Sequence, residues 1–330
     1  MKITILGDGG WGTALSKILA ENGHAVTVWG AFPDYLEELA KMRINHKFLP
    51  GVKLPTSIGY EPDMGKAVAE AEMVVLATPT QFLRGVLNTF HPYFQVRRHL
   101  LVNVAKGIED KTLKRIGEIT SEILGPSAYA VLSGPSHAEE AARGVPTAVV
   151  AASAEPSLAK TVCEAFMNRS FRVYTANDVI GVELGGALKN VIALAAGIID
   201  GMELGDNPKA ALLTRGIAEM GRLGRKLGGN PETFAGLSGI GDLIVTCSSR
   251  HSRNRHVGEE LGRGRKLAEI IAAMQMSVAE GVKSAPGAKM LAERNNVQTP
   301  IIDQIYEVLY NDKSPEAAID DLMQRDPKSE

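Results

Sequence analysis

Gly7, Gly9 and Gly12 form a G-x-G-x-x-G pattern between two segments of opposite character. Lys2–Leu6 is a β-branched run that reads as a strand, and residues 13–22 have helical spacing and stop at Gly23. In a strand-turn-helix of this kind, one glycine permits the tight turn, one lets backbone N–H groups approach a pyrophosphate, and one lets the helix pack on the strand. The helix N-terminus then turns free N–H groups and a partial positive charge toward the phosphates. The chain is therefore expected to open with a Rossmann-type unit that binds a dinucleotide.

The segments that follow extend that unit. Ala25–Trp29 reads as a second strand and completes a right-handed βαβ unit. Beyond it, dinucleotide-binding folds carry an acid for the ribose diol or an arginine for a 2′-phosphate. Here the chain reads Gly30-Ala31-Phe32-Pro33-Asp34, with neither in place. Asp34 has two readings, a helix cap or a ribose partner. Residues 47–55 are punctuated by proline and glycine and read as a loop. Residues 73–78, 100–105 and 128–132 are continuous apolar runs, as expected of strands buried on both faces of a parallel sheet. Their ends carry Thr78-Pro79, Lys106-Gly107 and Ser133-Gly134-Pro135-Ser136, and ligands of open α/β sheets bind beyond such ends. Thr147–Ala152 and residues 171–174 read as further strands.

After residue 175 no strand pattern recurs. Residues 178–200 form a long, largely apolar helix, and 208–228, 266–274, 282–295, 301–310 and 315–323 are helical in period. A length of 330 residues also favours two domains. The boundary is placed near 176–190, with a dinucleotide-binding domain over 1–180 and an all-helical domain over 181–330. Residues 258–266 read as a solvated turn.

A net charge of −2 gives no electrostatic case for nucleic acid. No uncharged apolar run reaches 18 residues, so no membrane span is expected. The chain enters a strand at once, so no signal peptide is expected. Cys163 and Cys247 lie far apart and outside any C-x-x-C, so neither a zinc site nor a disulfide scaffold is suggested. A reduced, cytoplasmic protein is expected.

Lys189 is the first candidate for chemistry. It lies within the apolar helix beside Gly185 and Gly186, which would let another group approach closely. Desolvation would disfavour its charged form and let it trade a proton near neutral pH; the alternative is a lysine whose stem snorkels to the surface. Lys106, at a strand end, is either a cation that holds an anion or an exposed loop residue. Residues 238–242 and 248–255 read as a loop of hydroxyls, arginines and an amide, suited to a phosphate dianion or simply basic and mobile.

Taken together, nine motifs give the chain a resemblance to the bacterial NAD(P)-dependent glycerol-3-phosphate dehydrogenases. They are Gly7-x-Gly9-x-Trp11-Gly12-Thr13, Phe48-Leu49-Pro50-Gly51, Pro79-x-Gln81, Lys106-Gly107, Ser133-Gly134-Pro135-Ser136-x-Ala138, Leu188-Lys189-Asn190, Gly239-x-Gly241-Asp242-Leu243, Ser252-Arg253-Asn254 and Glu280-Gly281-Val282. The resemblance implies a Rossmann-type domain followed by a helical domain similar to that of 6-phosphogluconate dehydrogenase. It implies reversible reduction of dihydroxyacetone phosphate to sn-glycerol 3-phosphate, feeding glycerophospholipid synthesis, with NAD or NADP as cofactor, no metal, and a homodimer. It makes Lys189 the acid/base, with Lys106, Asp242 and Asn190 around the reacting centre. Gly134, Ser136, Ser252, Arg253 and Asn254 would hold the substrate and its phosphate. Gly7, Gly9, Gly10, Trp11, Gly12, Phe48, Lys106, Ala138, Arg253, Val278 and Glu280 would line the cofactor.

Two positions depart from the family's pattern. Gly10 stands where serine is frequent, a change read as harmless in a glycine-rich turn. Gly30-Ala31-Phe32 stands where basic residues often meet the 2′-phosphate of NADP, so the chain is expected to shift toward NAD, with Phe32 and Phe82 as apolar walls of the cofactor cleft. The rival enzymatic reading is a related β-hydroxyacid dehydrogenase, against which the Ser-Arg-Asn and Gly-x-Gly-Asp-Leu segments argue. The rival non-enzymatic reading is an NAD-binding sensor, which would lack Lys106, Lys189, Asp242 or Arg253; all four are present.

Overall fold

The structure is a computed structural model and describes residues 1–274 and 279–327. The chain divides into two compact units: residues 1–106 with 114–183, and residues 107–113 with 184–330.

The first unit is built on an eight-stranded sheet. Its strands are β1 (Lys2–Leu6), β2 (Ala25–Trp29), β5 (Gly59–Tyr60), β6 (Met73–Leu76), β7 (Leu100–Asn103), β8 (Tyr129–Ser133), β9 (Thr147–Ala152) and β10 (Phe171–Ala176). A separate antiparallel pair, β3 (Ile44–Asn45) and β4 (Leu49–Lys53), completes the set. The sheet order is β10-β9-β8-β7-β6-β1-β2-β5. Six of these, from β5 to β8, are parallel and reproduce the doubly wound arrangement, in which the order reverses between β1 and β6. β9 runs antiparallel to β8 and carries β10 parallel to itself, a reversal the apolar pattern alone does not announce.

Seven helices flank this sheet: α1 (Gly10–Glu21), α2 (Pro33–Met42), α3 (Met64–Val68), α4 (Thr80–Phe90), α5 (Ile116–Leu124), α6 (Ala138–Ala141) and α7 (Pro156–Phe166). β6 and β7 are buried at every residue because both sheet faces are covered. Alternate residues feed different cores: Val75 and Val102 pack with α1, α6 and α7, whereas Val74, Leu76 and Leu101 pack with α3, α4 and α5. β10, at the sheet edge, alternates buried and exposed over its first four residues instead.

The second unit is helical. It takes most of α8 (Val179–Gly201), then α9 (Asp206–Lys226), α10 (Pro231–Phe234), α11 (Asp242–Ser248), α12 (Arg253–Gly262), α13 (Leu267–Ala273), α14 (Glu280–Arg294), α15 (Pro300–Tyr310) and α16 (Pro315–Met323). By length and composition α8 could cross a membrane, but its apolar window is entirely buried. Glu183, on the first turns of α8, belongs to the sheet unit, where its buried carboxylate accepts from Arg115 Nη1 (2.6 Å), Tyr129 OH (2.6 Å) and Gly117 N (2.8 Å).

Several local expectations are corrected. α1 starts at Gly10 rather than residue 13, so the last motif glycine, Gly12, lies inside the helix. Residues 49–53, read as loop because of Pro50 and Gly51, pair with β3 as β4. Asp34 is not the cap of α2; Phe32 holds that position and Asp34 lies in the exposed first turn. Residues 238–255 are not one loop, since a π-turn at Leu237–Gly241 leads directly into α11, and α12 starts at Arg253. The supposed solvated turn at 258–266 is helical as far as Gly262.

One buried acid sets a pH dependence. Glu219 on α9 accepts from Ile301 N (2.9 Å) and Ile302 N (3.3 Å) and so caps α15, while burial pushes its carboxyl up to about 7 against those hydrogen bonds. A carboxyl that is more basic folded than unfolded stabilises the fold fully below its ordinary value of 4.5. That contribution is lost as the pH rises through about 7. Urea unfolding should show a loss of ~3 kcal/mol between about pH 4 and about pH 8 assignable to this group. In Glu219→Gln that part of the slope should vanish; an unchanged pH dependence would contradict the assignment.

Candidate active site

In the first unit the glycine turn sits where the strand order reverses. Gly7 N donates to Trp29 O (2.9 Å), and Ala77 N donates to Leu6 O (3.0 Å). The glycines do different things. Gly7 has φ +133°, and a Cβ there would lie 2.8 Å from the Ala77 carbonyl group. A Cβ on Gly12 would collide with the Gly7 carbonyl oxygen, so this residue lets α1 close onto the strand. Gly9 alone of the three faces open space. No side chain caps α1 at Gly9, so the first-turn N–H groups are left for a ligand. This is the shape a pyrophosphate requires.

Gly10 is not indifferent: its Cβ would lie 2.5 Å from Phe48 O and 3.8 Å from Ala138 Cβ. A serine here would need the Phe48 backbone to move, so the turn is shaped around the glycine that this chain carries. Phe48, Ala138 and Gly10 are thus brought together. Trp11 packs on the sheet core and lies 6.4 Å, ring to ring, from Phe171. Phe32 and Phe82, which follow the carboxyl ends of the strands flanking β1, are 57% and 61% exposed, available to an apolar ligand face.

Sequence reading missed the hub of this region. Asn45 is fully buried. Its Nδ2 donates to Asp8 O (2.8 Å) and Thr13 Oγ1 (2.7 Å), and its Oδ1 accepts from Tyr35 OH (2.6 Å) and Phe48 N (3.0 Å). One amide therefore pins the glycine turn, the start of α1 and the Phe48 backbone. Its only sequence signal was an asparagine in an irregular stretch.

Lys106, Gly134 and Ser136 also converge. Lys106 Nζ donates to Gly134 O (2.9 Å) and Ser136 Oγ (3.3 Å), and Ser136 Oγ donates to Gly134 O (2.9 Å). Gly134 has φ +142°, and a Cβ there would lie 3.0 Å from Val149 Cα, so the turn after β8 admits little else.

In the second unit Lys189 is not a surface lysine: it is 5% exposed and Asp242 1%. Lys189 Nζ donates to Asp242 Oδ1 (2.6 Å) and Thr246 Oγ1 (2.5 Å), and Thr246 Oγ1 donates in turn to Asp242 O (2.6 Å). A buried ammonium is thereby compensated in charge and aimed by two partners. Thr246, one turn after Asp242 on α11, was not singled out from the sequence. The spacing of four residues on one helix face was the available signal. Neighbouring Cys247 is pushed up to about 12 by burial, so it stays a thiol.

Gly185, one turn before Lys189, serves the chain's own packing. A Cβ on Gly185 would lie 2.5 Å from Ser238 O, so what approaches there is the π-turn that delivers Asp242. Further along, Gly197 and Gly201 of α8 meet Gly258 and Gly262 of α12 at backbone contact. A Cβ on Gly258 would overlap Leu194 O, and one on Gly197 would overlap Arg255 O. This crossing places the start of α12 beside Asn190: Asn254 Nδ2 donates to Asn190 Oδ1 (3.0 Å), and Gly281 N donates to Asn254 Oδ1 (2.9 Å). Ser252, expected to touch substrate, is buried and caps α12 through Arg255 N (3.2 Å). Arg253 is exposed in the first turn of the same helix, where N–H groups and the helix dipole favour an anion. Glu280 opens α14. Val278 lies outside the described residues. Among the described residues no group of three or more His, Cys, Asp or Glu is placed to hold a metal.

Both halves of this chemistry match family models. Residues 2–159 match the N-terminus of NAD-dependent glycerol-3-phosphate dehydrogenase, and residues 178–320 match its C-terminus. The chain belongs to this family. It is 51% identical over 332 residues to a glycerol-3-phosphate dehydrogenase [NAD(P)+] of Lysinibacillus sphaericus, covering 100% of this chain and 98% of the relative. A protein of the same name from Chlorobium phaeobacteroides is 50% identical over 333 residues, covering 100% and 99%. The crystal structure of glycerol-3-phosphate dehydrogenase from Coxiella burnetii superposes with a TM-score of 0.94 at 35% identity, over 98% of this chain and 99% of that one. The family fold, a Rossmann-type sheet domain and a helical domain, is the fold described above.

Proposed function

We propose that this chain is an NAD(P)-dependent glycerol-3-phosphate dehydrogenase that reduces dihydroxyacetone phosphate reversibly to sn-glycerol 3-phosphate. The observation that carries the reading is the buried Lys189–Asp242–Thr246 group in a chain whose relatives bear this name over their full length. The nicotinamide dinucleotide, when bound, supplies or accepts the hydride. Lys189 gives its proton to the carbonyl oxygen as that oxygen gains charge and takes it back in the reverse direction. Asp242 and Thr246 hold the ammonium in place for the transfer. Arg253, at the N-terminus of α12, binds the substrate phosphate with charge-assisted hydrogen bonds, and Lys106, held by Gly134 and Ser136, orients the substrate. Within the helical unit, the Asn254–Asn190 hydrogen bond ties the start of α12 to α8.

The sheet unit, expected over residues 1–180, serves as the dinucleotide-binding domain, and the helical unit over 181–330 as the substrate domain. Gly7, Gly9, Gly10, Trp11, Gly12, Phe48 and Ala138 hold the dinucleotide. The absence of a cation at Gly30, Ala31 and Phe32 favours NAD. The protein acts in the reducing cytoplasm as a homodimer, for which light scattering should return twice the chain mass.

Reaction with sn-glycerol 3-phosphate and NAD should raise the near-ultraviolet absorbance of reduced nicotinamide. Unphosphorylated glycerol should be at least ~10²-fold less effective in kcat/KM, since it leaves the arginine site unpaired. Equal use of glycerol and its phosphate would remove the phosphate role of Arg253.

A further inference from the structure

We propose that Asp8, the residue between the first two motif glycines, is the acid that reads the adenosine ribose hydroxyls of NADH and disfavours the 2′-phosphate of NADPH. This deepens the NAD-favouring reading above and rests on it.

The end of β2 is where a dinucleotide fold needs its ribose acid, and this chain has Gly30 there. The space such a side chain would occupy is filled from another strand. A Cβ on Gly30 would lie 2.6 Å from Asp8 Oδ2 and 2.9 Å from Asp8 Cγ. A carboxyl group therefore does stand at the end of β2, delivered by the turn that follows β1. A side chain at position 30 would have to displace the Asp8 carboxyl from this place.

Asp8 is held for this. Its backbone carbonyl accepts from Asn45 Nδ2 (2.8 Å) and Thr13 Oγ1 (3.3 Å), so the turn that carries the side chain is fixed by the hub. Its Oδ2 is nonetheless buried with no hydrogen-bond partner. An orphaned buried carboxylate oxygen is costly, and burial raises the Asp8 carboxyl above its ordinary value while Lys47 pulls it back. What the oxygen lacks is a donor. A ribose diol brings two hydroxyl donors to the strand end where this fold places the ribose. A 2′-phosphate dianion would instead meet a carboxylate, and like charges at such range are strongly unfavourable.

Lys47, the cation whose charge acts on Asp8, is exposed and lies over the Tyr35 ring at 4.2 Å. It partly screens Asp8 but donates to neither of its oxygens.

The test is the dissociation constant of NADH and of NADPH, each measured by nicotinamide fluorescence without substrate at fixed salt, for the native protein, Asp8→Asn and Asp8→Ala. The amide keeps the shape and removes the charge. Asp8→Asn is expected to shift the NADPH-to-NADH ratio of dissociation constants by about tenfold or more in favour of NADPH, with an unchanged melting temperature. Asp8→Ala should move it the same way. A ratio within twofold of the native value in both variants, whether or not both cofactors weaken together, overturns the assignment, because a purely structural role moves the two constants in parallel. Failure of the reaction itself is seen separately: native protein that binds NADH but leaves dihydroxyacetone phosphate untouched would sink the proposed activity while the ratio still judges Asp8.

Discussion

Lys189→Met should bind NADH as the native protein does and lose turnover by about 10²–10⁴-fold, the worth of a positioned proton donor. Methionine keeps the length and flexibility of the stem and removes only the ammonium. Lys189→Arg should not restore the rate, because a guanidinium does not give up its proton in a protein. The substitution has a second consequence that separates structure from chemistry. It strands the Asp242 carboxylate, which is 1% exposed, without its cation. Breaking such a buried pair costs ~3–5 kcal/mol. The double variant Lys189→Met/Asp242→Leu replaces both charges with apolar groups and should recover most of that stability by urea unfolding. It should recover none of the turnover. Recovery of both together would assign the pair to the fold rather than to the reaction.

Gly258→Ala should be among the most damaging single methyls in the helical unit. Its Cβ would overlap Leu194 O, a backbone atom of α8 that no rotamer change can move. Overpacking by a methylene costs ~1–3 kcal/mol where side chains can yield, and this site is expected at or above the upper end. Forcing α12 away from α8 also strains the Asn254–Asn190 hydrogen bond, and with it the helix start that carries Arg253. A raised KM for the phosphorylated substrate should accompany the lost stability. Gly221→Ala on α9 is the control: nothing but Phe234 Cβ, at 4.0 Å, would touch the new methyl. There the gain in helix propensity should stabilise by ~0.5–1 kcal/mol. Equal effects of the two substitutions on unfolding would contradict the contact.

The same glycines explain why part of the molecule was legible from its residues and part was not. Gly7 and Gly12 act within twelve residues of one another and against the adjacent strand, so their spacing is a local signal. The apolar runs at β6 and β7 were legible because burial on both faces leaves no polar positions to interrupt them. Gly258 and Gly262 act on α8, some sixty residues away in sequence, and in a charged stretch they read as breakers when they are contact points. Residues 248–255 looked like a loop for a related reason: the cap of α12 is the single hydroxyl of Ser252.

Lys189 stood out because a cation inside an apolar helix is anomalous anywhere. Which carboxylate pairs with it could be named only through resemblance, since Asp242 lies fifty-three residues on. Asn45 was invisible because an asparagine carries no mark of the bonds it makes, and Thr246 was marked only by its spacing of four residues from Asp242. Asp8 sat in a variable slot of its motif, and nothing in the one-dimensional pattern says that its carboxyl stands over Gly30.

The measurement closest to the central claim is the near-ultraviolet absorbance of NADH in the presence of purified protein, first alone and then with dihydroxyacetone phosphate added. Oxidation that begins only on addition of the phosphorylated ketone, and that is lost in Lys189→Met at unchanged NADH affinity, is the expected result. NADH that binds but is not oxidised by the native protein, or is oxidised as fast by Lys189→Met, would contradict it.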